Sequence, residues 1–302
     1  MADKTLVVSL DQMPDWLEKR RKIIGEIDKQ LILGLCESGK GLTLGHLQAT
    51  VEHRDPFVGS NISPLAALAE STKKKLRKFF SVDIEPLPPE FTEENLAKWA
   101  RFNWKPVYLP REEIGENRRL KNWTKPEEWF YRQIKKDEED TKGKISPDSA
   151  QLYRGWYLID FTRGVDYTNG TQVFPDDPLA PIITKLREEG KIGKYDSTPI
   201  GSRFSITHDE WQTVLCPAIA TEHGFKPEQV RLERAIEHNT IGNIYDSNRG
   251  KFNMWEWFHD QFEDSYLLDG GRRALGGLAS VRCGWSGHRA RLAGRPLVSF
   301  VS

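Results

Sequence analysis

The sequence predicts an α+β protein, with a small helical N-terminal region ahead of a larger mixed domain. Apolar residues recur at helical spacing near the N-terminus, an aromatic strand-like run opens the second half, and short Gly-punctuated segments fill the C-terminal stretch.

From Pro14 to Leu35, residues such as Trp16, Ile23, Ile27, Leu31 and Leu35 mark one face of a helix, with Lys, Arg and Glu between them. Ser38-Gly39-Lys40-Gly41 stops it, since Gly suits a left-handed cap. Thr43 can cap a second helix to Glu52, and a third is expected over Ala66–Phe80, with Lys73-Lys74-Lys75 on its solvated side. Residues 1–80 therefore read as a helical region. Residues 81–150 read as a connector: PLPPEF is extended, four tryptophans follow (Trp99, Trp104, Trp123, Trp129), and the charge-dense KKDEEDTKGK marks the main boundary. The mixed domain spans 151–302. LYRGWYLIDF (Leu152–Phe161) reads as a strand, Leu179–Glu189 as a helix, and Thr207–Gly224 as a helix interrupted at Pro217. From Gln229 onward, strands and long loops are expected.

A formal net charge of zero with 38% hydrophobic residues calls for an ordinary folded core. It also argues against a chain devoted to nucleic acid or to membrane surfaces. Three widely separated cysteines, Cys36, Cys216 and Cys283, make no disulfide framework and suit a reducing compartment. The opening MADKTLVVSLDQMPDW carries charges and a Pro where a secretory signal needs an apolar run, so a cytoplasmic location without a membrane partner is expected.

Several motifs give way to simpler readings. Gly34–Lys40 (GLCESGK) has the spacing of a phosphate loop, yet Gly41 stands where a Mg²⁺-binding Ser or Thr belongs, and the preceding residues are helical. A helix-turn-helix over the first two helices lacks a basic recognition face. His46, His53, His208, His223, His238, His259 and His288 show no zinc spacing. No cofactor is expected; Asp246, Asp260, Glu263 and Asp264 could serve as oxygen donors to a structural Ca²⁺ or simply as solvated loop carboxylates, and metal content stays open. No nucleophile elbow or acid–base pair stands out, so an enzyme is not the expectation.

A longer constellation runs through Gly242-Asn243, Trp255-Glu256-Trp257, Asp260, Gly270-Gly271, Gly276-Gly277, Trp285-Ser286 and Gly294-Arg295-Pro296. Its aromatic residues can anchor a core, and its Gly pairs permit backbone shapes that other residues resist. In this order the segments resemble the C-terminal half of the C-type-lectin-like fold, in the branch shared by formylglycine-generating enzymes and the variable proteins of diversity-generating retroelements. The likeness covers roughly Arg231–Phe300 by motif and Leu152–Arg231 by architecture. Two departures stand out: an insertion separates Gly242-Asn243 from Trp255-Glu256-Trp257, and the closing Ala293-Gly294-Arg295-Pro296 lacks the usual Phe.

The resemblance bears on an odd feature of the tail. From Asp264 to Ser302 there is no Lys, Glu, Gln or Met, while six arginines are present: Arg272, Arg273, Arg282, Arg289, Arg291 and Arg295. Retroelement diversification turns AAY codons into NNY codons, which cannot encode Lys, Glu, Gln, Met or Trp. The one Trp, Trp285, falls in a motif position that would stay fixed. The resemblance thus implies a non-enzymatic binding protein. Trp255, Trp257, Gly276, Gly277, Trp285 and Arg295 would form its scaffold. Arg272, Arg273, Ser280, Arg282, Gly284, His288, Arg289 and Arg291 would form a ligand-binding surface. Guanidinium groups without Asp or Glu after Asp269 favour an acidic protein or other macromolecular ligand. Nucleic acid or another anion is the alternative. The oxidases of this branch use a C-terminal cysteine pair for copper, where this chain has Cys283 alone.

Overall fold

The computed structural model describes residues 63–301, apart from 119, 135–143, 168–169, 195–196, 251, 253, 263–265, 272–280, 286 and 288–289. The chain divides into two compact units, Met1–Ala67 and Leu68–Ser302, and apart from the first residues of helix Pro64–Leu76 the features discussed below belong to the second. The expected helices at 14–35 and 43–52, and the Gly34–Lys40 segment, lie outside the described residues.

Helix α1 (Pro64–Leu76) is shorter than the expected Ala66–Phe80: a turn follows Leu76, and Phe79 and Phe80 swing edge-on to Trp123 at 5.2 and 5.7 Å. Such aromatic contacts outweigh one more helical turn. Helix α2 (Glu93–Ala100) starts at Thr92, whose Oγ1 accepts from Asn95 N at 3.1 Å, and carries Glu93 and Glu94 in its positive first turn. Strand β1 (Trp104–Leu109) follows. The stretch read as a connector thus holds a helix and a sheet strand within the same compact unit as the residues after it. Pro106 is tolerated there because β1 lies at the sheet edge, where a missing N–H breaks no ladder.

A two-residue ladder joins β2 (Glu112–Glu113) to β3 (Gln151–Leu152), and helix α3 (Glu128–Ile134) buries Phe130 and Tyr131. Strand β4 (Gly155–Asp160, GWYLID) is buried along its whole length. Both flanks are covered: β4 pairs antiparallel with β1 (Val107 opposite Tyr157) and with β10 (Pro296–Ser299; Val298 opposite Leu158). Strand β5 (Val230–Leu232) completes the first sheet in the order β1-β4-β10-β5.

Helix α4 (Ala180–Glu188) falls within the expected 179–189. The next helical stretch opens with a capping box, Thr207 Oγ1 accepting from Glu210 N and Glu210 accepting from Thr207 N. It runs through α5 (His208–Glu210), a π-helical turn (Trp211–Leu215) and α6 (Cys216–His223), ending on left-handed Gly224. The expected interruption at Pro217 takes the form of this wider turn, which accommodates a residue without an N–H. From Gln229 onward the expected strands are present, but helix α7 (Ala235–Ile244), which was not expected, stands between the first two of them. Buried Glu237 accepts from Arg234 N at the helix start and pairs with Arg231 and Arg234. Burial raises its pKa, but the two guanidiniums win and hold it to about 2.

The second sheet runs β8 (Val281–Trp285), β7 (Tyr266–Gly270), β6 (Trp255–Phe262), β9 (Leu292–Gly294). Its β6–β9 pairing is parallel and the others antiparallel. Phe258, Phe262, Leu268 and Val281 from this sheet pack with Phe130, Tyr131 and Ala235 into one core cluster. The described residues are thus α+β, with helices and two four-stranded sheets.

Candidate functional site

The structure brings the Trp255-Glu256-Trp257 and Gly294-Arg295 segments of the motif together. Strand β6 carries Trp255-Glu256-Trp257 and lies parallel to β9, setting Trp255 opposite Leu292, Glu256 opposite Ala293 and Trp257 opposite Gly294. Trp257 is buried and its Nε1 donates to the Ile206 carbonyl at 3.0 Å. Arg295 follows β9 and turns inward, donating from Nε to Glu256 Oε1 at 3.0 Å. Gly242-Asn243 lies elsewhere, in the last turn of α7, where Asn243 exchanges hydrogen bonds with the backbone of Thr124 at 2.8 and 2.9 Å.

Glu256 and Arg295 belong to a buried chain of alternating charges. In spatial order it reads Asp177, Arg203, Asp160, Arg295, Glu256, His238, Glu233, Arg249, Asp246. His238 sits mid-chain with Nδ1 3.3 Å from both Glu233 Oε2 and Glu256 Oε2. Arg295 also donates from Nη1 to the carbonyls of Asp160 and Thr162 at 2.9 and 2.8 Å, and Arg249 Nη2 donates to the Asp160 carbonyl at 3.1 Å. Burial alone would raise the carboxyl of Asp160, yet Arg203 and Arg295 draw it below the usual range. Burial acts likewise on Glu256, and Arg295, His238 and Arg249 outweigh it. The chain ties the end of β4, the loops at 177 and 203, the start of α7, β6 and the β9–β10 junction into one frame. Sequence spacing could not reveal it, because its members are scattered from Asp160 to Arg295 and neighbour one another only across elements.

At the Asp246 end of this chain a pocket of about 90 Å³ opens, lined by Phe161–Gly164, His238, Asp246, Asn248–Gly250, Phe252, Met254, Glu256, Gly271 and Arg295. Much of its wall is the insertion between Asn243 and Trp255. Gly271 leaves β7 at φ +131°, and a Cβ there would meet the Met254 carbonyl oxygen at 2.9 Å, so the chain needs glycine as it departs toward residue 272.

Of the residues expected to form a contact surface, Arg272, Arg273, Ser280, His288 and Arg289 lie outside the described residues, as do scaffold Gly276 and Gly277. Arg282, Gly284 and scaffold Trp285 lie on β8, opposite Asp269, Leu267 and Tyr266 of β7. Arg291 is exposed just before β9, while scaffold Trp255 is half-buried. Next to Arg291 the Ala290 carbonyl accepts from Gln172 Nε2 at 2.5 Å, and the Gln172 carbonyl accepts from Ser202 Oγ at 2.5 Å. Val173, next to Gln172 in sequence, and Ile200, two residues before Ser202, are exposed.

Of the expected Ca²⁺ donors, the two described ones, Asp246 and Asp260, have protein partners. Asp260 is buried and accepts from Ala235 N at 2.7 Å, Asp246 pairs with Arg249, and Glu263 and Asp264 lie outside the described residues. No group of three His, Cys, Asp or Glu suited to a metal occurs among the described residues. Cys216 is buried in α6, and burial pushes its thiol up to about 12, which removes it as a thiolate. No described helix is long and apolar enough to cross a membrane. Comparison of the chain with protein-family models, with curated proteins and with solved structures returns no match.

Proposed function

We propose that this is a non-enzymatic binding protein. It presents the Gly- and Arg-rich segment from Gly270 to Pro296 as a ligand-contact surface on a C-type-lectin-like scaffold. The observation that carries this reading is the contrast between two arginines four positions apart. Arg295 is buried in the ionic chain, whereas Arg291 is exposed on the same run of sequence, in the part whose composition excludes Lys, Glu, Gln and Met. Between Gly271 and Leu292–Arg295, substitution at the contact positions would leave the frame intact so long as Val281 of β8 keeps its place in the core cluster. That division of labour accords with a surface diversified through NNY codons, and the arginines favour an acidic macromolecule as the ligand.

The test has two parts. The gene is read for codons ending in C or T at 272, 273, 280, 282, 284, 288, 289 and 291, and for a near-copy of that DNA differing at adenines beside a reverse transcriptase. The purified protein is titrated with a polyglutamate peptide and with duplex DNA of several sequences, across a range of salt. Codons ending in A or G at those positions remove diversification. Binding to every DNA sequence with a steep salt slope assigns the surface to nucleic acid instead.

A further inference from the structure

The pocket at the Asp246 end of the ionic chain offers no vacancy for a charge. Arg163, Arg249, Arg295 and His238 line it against Asp246 and Glu256. Glu256 pairs with Arg295, and behind the lining Glu233 pairs with Arg249. Each buried guanidinium of the wall thus already faces a carboxylate, and an ion of either sign would compete with a partner in place. What the wall leaves open is a set of hydrogen-bonding atoms. Arg249 donates from Nη1 to Glu233 and from Nη2 to the Asp160 carbonyl, while its Nε is buried without a hydrogen-bond partner. Asp246 Oδ2 stands 3.6 Å from that Nε, beyond hydrogen-bond distance, on a side chain 14% exposed. His238 Nδ1 lies 3.3 Å from a carboxylate oxygen of Glu233 and of Glu256, which places the proton of the neutral ring on Nδ1. Its Nε2 then offers a lone pair, and it too is buried without a partner. Both side chains are more than nine-tenths buried, where an unpaired polar atom is costly.

We propose that this pocket binds a small neutral primary carboxamide. Such a group carries one carbonyl acceptor and two N–H donors, which match one unpaired donor and two open acceptors. Its oxygen accepts from Arg249 Nε, and its N–H groups donate to His238 Nε2 and Asp246 Oδ2. An alcohol has a single hydroxyl for the same three atoms, and a carboxylate brings no donor at all. The flat amide and its short alkyl end suit the wall of Phe252 and Met254. Gly164 lets that wall close, since a Cβ there would lie 2.9 Å from Met254 Cε and 3.6 Å from Phe252 Cδ2. A volume of about 90 Å³ admits only a few non-hydrogen atoms, either a free amide or the tip of an Asn or Gln side chain. The proposal is independent of the contact surface at 272–291, because the residues it uses belong to the frame and to the 244–254 insertion.

The full-length protein, labelled with ¹⁵N, is titrated with acetamide, with N,N-dimethylacetamide and with sodium acetate, at constant ionic strength. The His238 imidazole nitrogens and thermal unfolding are followed. A saturable shift of the Nε2 resonance and a rise in Tm are expected with acetamide and with neither control, because both controls lack the N–H groups. Phe252→Ala, which leaves the ionic chain intact, should weaken acetamide binding about tenfold through loss of one wall. Gly164→Ala, which crowds Met254 without touching a charged residue, should weaken it too and guards against a misfolded Phe252 variant. The tripeptides Gly-Gln-Gly and Gly-Met-Gly, compared in the same titration, separate the sources. A response to the glutamine peptide assigns the site to a partner's side chain, and a response to acetamide alone assigns it to a free amide. No saturable response to acetamide, an equal response to either control, or unchanged affinity in both variants overturns the proposal. None of these outcomes bears on binding through the 272–291 segment.

Discussion

The Trp211 indole packs against the backbone of Gly294 so closely that a Cβ at residue 294 would lie 2.6 Å from Cζ2 and 2.7 Å from Cδ2 of the ring. Trp211 belongs to the π-helical turn and is fully buried, so it has little room to yield. Gly294-Arg295 therefore joins two requirements side by side: no side chain toward Trp211, and a guanidinium toward Glu256.

Gly294→Ala should destabilise the protein by about 1–3 kcal/mol, the usual range for overpacking a filled core. Chemical denaturation measures this. Trp211→Phe in the same chain should recover part of the loss, whereas the single Trp211→Phe change should itself destabilise.

Arg295→Met should cost about 3–5 kcal/mol, because it strips a buried partner from Glu256 and Asp160. Arg291→Ala should stay within about 0.5 kcal/mol, as exposed substitutions do. Paired urea titrations separate the two. Equal costs would remove the distinction between frame and surface arginines.

Acid should weaken the fold in two stages. His208 and His223 are buried, and desolvation lowers both pKa values; Asp209 and the Phe258 carbonyl oppose the shift at His208, and Lys98 adds to it at His223. Below the ordinary histidine value of about 6.5 the unfolded chain takes up protons that the native state refuses, so stability falls as pH drops through that region. Glu237, held to about 2, Asp160 and Glu256 have lowered pKa values. Their stabilisation is present above the ordinary carboxylate range and is lost as pH falls toward the folded values. The urea midpoint measured from pH 8 to pH 3 should show both declines. His223→Phe, placed among Phe102, Trp104 and Phe225, should flatten the first.

Cys216 should resist alkylation in the native protein at pH 8, since its thiol titrates near about 12, and should react once urea unfolds the chain. Mass spectrometry of the Cys216 peptide after iodoacetamide reports this directly.

Local patterns made several elements legible. GWYLID is apolar enough for a central strand, and the run from Thr207 to Gly224 reads as a helix broken at Pro217. Strand β1 escaped notice because Trp104-Lys105-Pro106 contains a proline that only an edge position excuses. Helix α7 escaped it because Glu237, His238 and Asn239 are polar yet buried, so their stabilising partners, Arg231 and Arg234 among them, had to be known first. The pairing of Glu256 with Arg295 was similarly hidden: both residues belong to the motif, but only the parallel β6–β9 register sets them side by side.

The most direct test of a fixed frame with an exchangeable surface needs no ligand. One library places NNY codons at 272, 273, 280, 282, 284, 288, 289 and 291, and another at 257, 294 and 295, with folding read by resistance of the displayed protein to protease. Most members of the first library should stay folded while nearly all of the second are lost. Comparable losses in both libraries would contradict the account.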